Sequence, residues 1–243
     1  KNGRPEKRAS LRLAVQAGSI DETDQERGYA HLLEHMGFNG GAHFKPGELV
    51  KYLESIGAGF GADVNAYTSY DETVYMLEVP TDKTGLLNRG MEAMYDFAGG
   101  MSLLEDEVRS ERGVVIEEWR SRRGASARVQ ELQAPAIYGA SKYAARNPIG
   151  TVEAIQAAAA AKLRAFYQKW YRTDRMALIV VGDIEPADVQ KLIVEHFSPH
   201  KNPSTAPPPR RYPIPPHTTT RVSMVADPET QASSISVLRK RPL

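Results

Sequence analysis

The 243-residue chain contains no cysteine. That removes thiolate metal ligands, thiol nucleophiles and disulfide staples from consideration. It leaves the compartment open, because a cysteine-free chain suits cytoplasm and periplasm equally. A chain of this length buries most of its surface on folding and needs no staple. An excess of charge is also missing: 31 basic residues face 30 acidic ones, for a net charge of +1. Nucleic-acid binding calls for a concentrated basic face, so no nucleic-acid partner is expected. No apolar run approaches the roughly 20 residues that cross a bilayer, so no membrane span is expected either. There is no initiating methionine, and Lys1 leads almost directly into a strand-like segment. The chain therefore reads as a piece of a longer protein, upstream of which a signal peptide would lie out of view.

What is present is a regular alternation of strand and helix patterns. Residues 9–17 place Leu11, Leu13 and Val15 at the period of a half-buried strand. A polar stretch then leads into a helix that closes at Gly37, and a second helix is expected over 46–56, with Pro46 and Gly57 as punctuation. Strand segments follow at 64–68 and 73–79. Helices are expected over 82–98, over 102–123 with a capping box from Ser102 to Glu105, over 127–138, and unbroken over 151–170 through the alanine run 157–161. A buried strand at 176–181 and an amphipathic helix at 186–197 complete this region. Antiparallel strands interleaved with helix pairs predict an α+β fold. Seven prolines then mark 201–216 as an extended linker. Beyond it, 217–243 carries two strand-like runs, 221–226 and 233–238, around the turn Asp227-Pro228-Glu229. The expected organisation is a domain over 1–200, the linker, and the opening of a second domain.

The chemistry concentrates in His31-Leu32-Leu33-Glu34-His35. At ~100° per residue, His31 and His35 lie ~40° apart, one turn separated, so both imidazoles can reach one metal ion. Glu34 lies within ~100° of both, in reach of a water on that metal. Tyr29, Leu32, Leu33 and Met36 fall at i, i+3, i+4 and i+7 and make the core stripe, which turns the His/Glu face toward a cleft. A catalytic zinc takes three protein ligands. On the 102–123 helix the apolar stripe is Leu104, Val108, Val115 and Trp119, and Glu111 and Glu118 fall inside it, whereas Glu117 points ~140° away from Leu104. Buried carboxylates need a partner. For Glu111 and Glu118 that partner is a metal or an arginine such as Arg112 or Arg122. His43, His196, His200 and His217 show no ligand spacing and read as surface residues.

These residues resemble the pitrilysin/insulinase family of zinc metalloproteases. The similarity lies in His31-Leu32-Leu33-Glu34-His35-Met36, in Asn65-Ala66-Tyr67-Thr68 and in Glu111 through Glu118. It extends to Thr73-Val74-Tyr75, to Asn147 through Thr151 and to Val180-Val181-Gly182-Asp183. The stretch Phe60-Gly61-Ala62-Asp63 is most similar to the bacterial, often periplasmic, branch, which implies a periplasmic location. The resemblance implies a mostly antiparallel sheet packed against helices, and one zinc ion held by His31, His35 and Glu118. It makes Glu34 the general base and Glu111 a supporting catalytic residue behind the ligands. It also makes Asn65 and Ala66 substrate contacts on a strand edge, although an ordinary strand with a turn-adjacent asparagine accounts for them equally. The implied activity is endopeptidase cleavage of peptides or small unfolded proteins. The other implied partner is the C-terminal half of the parent protein, which supplies oxyanion donors, so the fragment is expected to bind zinc but to cleave poorly alone. A non-catalytic zinc-binding or structural partner subunit of the same family is the rival reading, and the intact His31, Glu34 and His35 stand against it.

Overall fold

The protein is described from a computed structural model covering residues 2–59, 61–202, 207–208 and 212–240. Phe60 and seven residues of the 201–216 segment, Pro203 and Pro209 among them, lie outside the described residues. Four strands form one antiparallel sheet, β1 (Arg8–Val15), β2 (Val64–Thr68), β3 (Thr73–Pro80) and β4 (Met176–Gly182), in the order β2-β3-β1-β4. Register pairs Leu11 with Leu77 and Val180, and Leu13 with Tyr75 and Leu178. Side chains alternate along a strand, so one face gathers Ala9, Leu11, Leu13, Val15, Tyr75, Leu77 and Val79, all buried. The opposite face exposes Arg8, Arg12, Ile179 and Val181. The fold is α+β, as the alternation predicts.

The helices are α1 (Tyr29–Met36), α2 (Glu48–Ser55), α3 (Leu86–Tyr95), α4 (Glu105–Ser121), α5 (Ala125–Tyr138), α6 (Val152–Gln156), α7 (Ala160–Trp170) and α8 (Pro186–Phe197). Helix α1 lies against β2 and β3, and α3 against β3 and β1. Gly90 permits the latter approach: a Cβ there would stand 2.9 Å from Val79 Cγ2. Helix α4 packs on α1 through Val108 and Val115, both fully buried.

Three expectations need correction. The Ser102–Glu105 capping box does not form. Helix α4 starts at Glu105 with no side-chain cap, because Ser102 Oγ donates to Gly40 O at 3.1 Å and Glu105 Oε2 accepts from Ala160 N at 3.2 Å. Both polar groups are claimed by distant partners instead of each other, and Leu104 beside them is exposed rather than in the stripe. The helix expected over 151–170 is two helices. The chain extends at Ala159, Ala158 is fully buried, and Arg112 Nη1 donates to the freed carbonyls of Gln156 (2.7 Å) and Ala158 (3.0 Å). Tertiary satisfaction of those carbonyls outweighs alanine's helix propensity. Lastly, 221–226 and 233–238 are not strands. Their turn is present, with Thr230 N donating to Asp227 O at 3.0 Å. No ladder forms beside either run, and Val222, Met224, Ile235 and Val237 are 89%, 92%, 96% and 93% exposed. Smaller shifts occur at helix starts: α3 begins at Leu86 rather than 82 and runs into a π-type turn over Asp96–Gly100.

Candidate metal centre

The site is built on α1, and its placement begins before the helix does. The N-cap Gly28 sits at φ 101°, a left-handed conformation that favours glycine, and it offers no side chain to cap the helix. Glu22 substitutes for one. Its carboxylate accepts from Gly28 N at 3.0 Å and Ala30 N at 2.9 Å, satisfying two of the unpaired donors of the first turn. Burial raises Glu22 to about 8, even against these two bonds and the nearby Arg146. Tyr29, Leu32, Leu33 and Met36 then drop into the core as expected, which fixes the rotation of α1 and turns His31, Glu34 and His35 toward α4 and β2.

Helix α4 brings Glu118 to the two histidines. Its Oε2 lies 3.2 Å from His35 Nε2 and 3.6 Å from His31 Nε2, and the three ligand atoms all fall within 4.8 Å of one another. Zinc bonded at about 2.0–2.1 Å in tetrahedral geometry separates its ligand atoms by about 3.4 Å, so this donor set fits one zinc ion. The two imidazoles are tuned in opposite directions. Burial and the neighbouring His35 push His31 down to about 4, the neutral form that metals bind. Its Nδ1 is buried and has no hydrogen-bond partner among the described residues. His35 is also disfavoured as a cation by burial, but hydrogen bonds to Glu111 and Glu118 outweigh this and push it up to about 9. Its Nδ1 donates to Glu111 Oε1 at 2.8 Å, which reserves Nε2 for the side facing Glu118. Such a carboxylate behind a histidine fixes the ring and its tautomer.

Glu111 is itself held. Burial works against its charge, but His35 and Asn39, whose Nδ2 donates to Oε2 at 2.6 Å, keep its carboxyl below the usual range. Glu118 is lowered first by His35, and its Oε1 forms an ion pair with Arg122. Arg122 thus takes Oε1 and leaves Oε2 facing the two histidines, whereas Arg112 turns away to backbone carbonyls. Glu117 is exposed beside Arg120, as its angle predicts.

Glu34 is buried beside His31. Burial raises its carboxyl, opposed by Thr68, whose Oγ1 donates to Oε2 at 2.6 Å. Strand β2 is one edge of the sheet. Along it Val64, Ala66 and Thr68 turn inward, while Asn65 and Tyr67 are exposed. Asn65 Oδ1 accepts from Ala66 N at 2.9 Å. His31, Glu34, Ala66, Thr68, Arg122 and Ile149 are among the residues around one cavity of about 110 Å³. Asn65 is absent from that lining. Sequence spacing missed Glu22, Asn39 and Thr68, whose partners lie on other elements, whereas Arg122 was already an expected partner of Glu118, one turn away on the same helix. Among the other histidines, His43 is exposed as expected, though its Nδ1 donates to buried Asp96 at 2.8 Å. His196, His200 and His217 are half-buried, which corrects the surface reading, and His200 packs against Gly99.

With this geometry in view, comparison with known proteins is decisive. The sequence model described as insulinase (peptidase family M16) matches residues 1–143, and that described as the peptidase M16 inactive domain matches 158–240. The chain belongs to the insulinase family. The chain is similar to the zinc protease PQQL-like protein of Arabidopsis thaliana, 38% identical over 244 residues spanning 100% of this chain and 26% of that protein. The probable zinc protease PqqL of Escherichia coli is 35% identical over 98% of this chain and 26% of its own length. The insulinase-family chain thus spans about a quarter of these relatives. Among solved structures, the first half of the periplasmic protease PqqL from Escherichia coli superposes with a TM-score of 0.82. It is 36% identical, over 88% of this chain and 46% of that one. Pitrilysin, at 22% identity and a TM-score of 0.72 over 86% of this chain and 22% of that one, shares the fold. The two family matches are separated by residues 144–157, yet β4 from the second match pairs with Ala9–Val15 of β1 from the first, so one sheet draws on both.

Proposed function

We propose that this chain is the zinc-holding part of a metalloendopeptidase that hydrolyses peptides or small unfolded proteins. The observation that carries the reading is the convergence of His31 Nε2, His35 Nε2 and Glu118 Oε2 on one point, with Glu34 beside it. When bound, zinc supplies Lewis-acid chemistry, polarising a carbonyl and acidifying water. The protein's residues do the rest. His31, buried and neutral, and His35, held by Glu111, present their Nε2 atoms, and Glu118 adds one carboxylate oxygen while Arg122 holds the other. Glu34 acts as general base toward water and returns the proton to the leaving amine. Its raised proton affinity suits a group that must both take and give. The exposed edge of β2 around Asn65 and Ala66 is the proposed docking line for an extended substrate, because main-chain pairing accepts any sequence in strand form. We further propose that the C-terminal half of the parent protein completes the catalytic chamber. A periplasmic location is proposed on the likeness to the periplasmic PqqL.

Metal analysis tests the reading. At neutral pH, wild type and Glu117→Gln should each retain one zinc per chain after dialysis, and Glu118→Gln should lose it. Equal retention by all three proteins would exclude Glu118 as a ligand. Cleavage of a fluorogenic peptide should be strong in the full-length protein and weak in residues 1–243 alone.

A further inference from the structure

We infer that Thr68 is a positioning residue that divides the labour of the two Glu34 carboxylate oxygens, holding Oε2 on the β2 side so that Oε1 alone exchanges protons and Glu34 stays off the metal. This rests on the proposed zinc-peptidase reading.

The assignment follows from counting hydroxyl protons. Thr73 Oγ1, fully buried, donates its single proton to Ala17 O at 2.8 Å, and a carbonyl oxygen can only accept. The contact between Thr68 and Thr73 hydroxyls, at 3.4 Å, therefore draws no proton from Thr73. Thr68's single proton goes to Glu34 Oε2, at 2.6 Å, within the 2.5–2.7 Å typical of O–H···O⁻ bonds. An oxygen that accepts this bond is not the one that carries a proton, so Oε1 is left for the chemistry. In the step itself a water O–H bond breaks as Oε1–H forms, and the water oxygen bonds to the peptide carbonyl carbon. The C–N bond then breaks as the proton passes from Oε1 to the departing nitrogen. Oε2 keeps its bond to Thr68 throughout.

The strand makes the hydroxyl's position definite. Thr68 ends β2, paired in register with Thr73, and the turn beyond is closed by Ser69 N donating to Glu72 O at 2.8 Å. A β-branched side chain on a fixed strand has few χ1 choices. Because Ala66 and Thr68 share the inward face of β2, the strand offered to substrate and the anchor of the base are one rigid piece. Without the Thr68 bond, the buried Glu34 carboxylate would be free to turn toward the cations around it: Arg122, which shares its cavity, or a metal held by His31, His35 and Glu118.

The test uses the full-length protein with Thr68→Val, which keeps shape and loses the hydroxyl, Thr68→Ser, which keeps the hydroxyl, and Thr68→Val combined with Glu34→Gln. Cobalt(II) replaces zinc as a spectroscopic probe, and chelator competition reports metal affinity. Thr68→Val should bind metal at least as tightly as wild type and shift the cobalt absorption as a further oxygen ligand joins. The shift should vanish in the double variant, whose amide is a poor ligand. The kcat of Thr68→Val alone should fall roughly 100-fold, the scale expected for misplacement of a reacting group, with KM within about twofold, and Thr68→Ser should recover most of it. An unchanged cobalt spectrum with kcat within threefold of wild type would overturn the role. So would parallel loss of metal and kcat, which would make Thr68 a structural support of the ligands. A wild type that takes up no cobalt would instead overturn the metal reading beneath it.

Discussion

Helix α1 and the C-terminal segment beyond Tyr212 both carry regular apolar patterns, and they end in opposite states. Tyr29, Leu32, Leu33 and Met36 are at most 1% exposed, whereas Val222, Met224, Ile235 and Val237 stand at 89–96%. The period is equally clean in each. The difference is the presence of a second surface. Helix α1 has β2, β3, α4 and α7 around it, and its stripe is removed from water on all sides. The terminal runs have a turn and one charged clamp, in which Arg128 donates to both oxygens of Asp227 at 2.7 and 2.8 Å and to Glu229 at 2.7 Å. A pattern specifies which face an element would bury, and burial itself requires something to bury it against.

The comparison breaks most sharply on paired truncations in residues 1–243. Leu33→Ala should lower unfolding stability by about 3 kcal/mol, through lost transfer energy and a residual cavity. Val237→Ala should leave the urea midpoint unchanged. A comparable loss at Val237 would mean that the terminal run is packed in solution.

Next in size is the cap of α1. Glu22→Ala leaves Gly28 N and Ala30 N buried without acceptors and should cost about 2 kcal/mol, read by the same urea titration. Glu22 also gives a pH signature. Its folded value, about 8, lies above the ordinary 4.5, so the folded state holds more protons between the two. Its contribution is full below pH 4.5 and falls as pH rises through about 8. Wild-type stability should therefore decline over that window more steeply than that of Glu22→Gln, and equal slopes would contradict the burial effect.

The smallest effect belongs to the clamp. Arg128 pulls Asp227 down to about 2, so the attachment holds above the unpaired value of 3.8 and is lost as pH falls through about 2. Exposed ion pairs of this kind contribute little to global stability. Arg128→Ala should leave the urea midpoint in place yet speed limited proteolysis after residue 212, and an unchanged cleavage rate would show that the clamp does not hold the segment.

Much of the fold was legible because strand and helix periods are properties of the backbone. All four strands of the sheet, Pro186–Phe197 of α8 and the core stripe of α1 stand at the positions expected, but β4, expected to be buried, is an edge strand whose Ile179 and Val181 are exposed. The same steps selected Glu111 and Glu118 over Glu117. Two of the misreadings share one cause. Ser102 and Glu105 look like a capping box, and 157–161 looks like uninterrupted helix, until Gly40, Ala160 and Arg112 claim the groups involved. The supporting residues of the site were equally hidden, since Asn39 reaches Glu111 across 72 residues and Thr68 reaches Glu34 across 34.

The sequence by itself determined that two histidines and a glutamate share one face of one helix, and that two further glutamates share one face of another. Those statements need only the helical angle. Only the tertiary structure decided which oxygens meet which nitrogens, and that His31 is driven down to about 4 while His35, four residues on, is driven up to about 9. The physical reason is that side-chain direction is set locally, by backbone geometry. Burial and charge are set by whichever elements arrive from elsewhere, here Glu111 and Glu118 on α4 and the wall of β2.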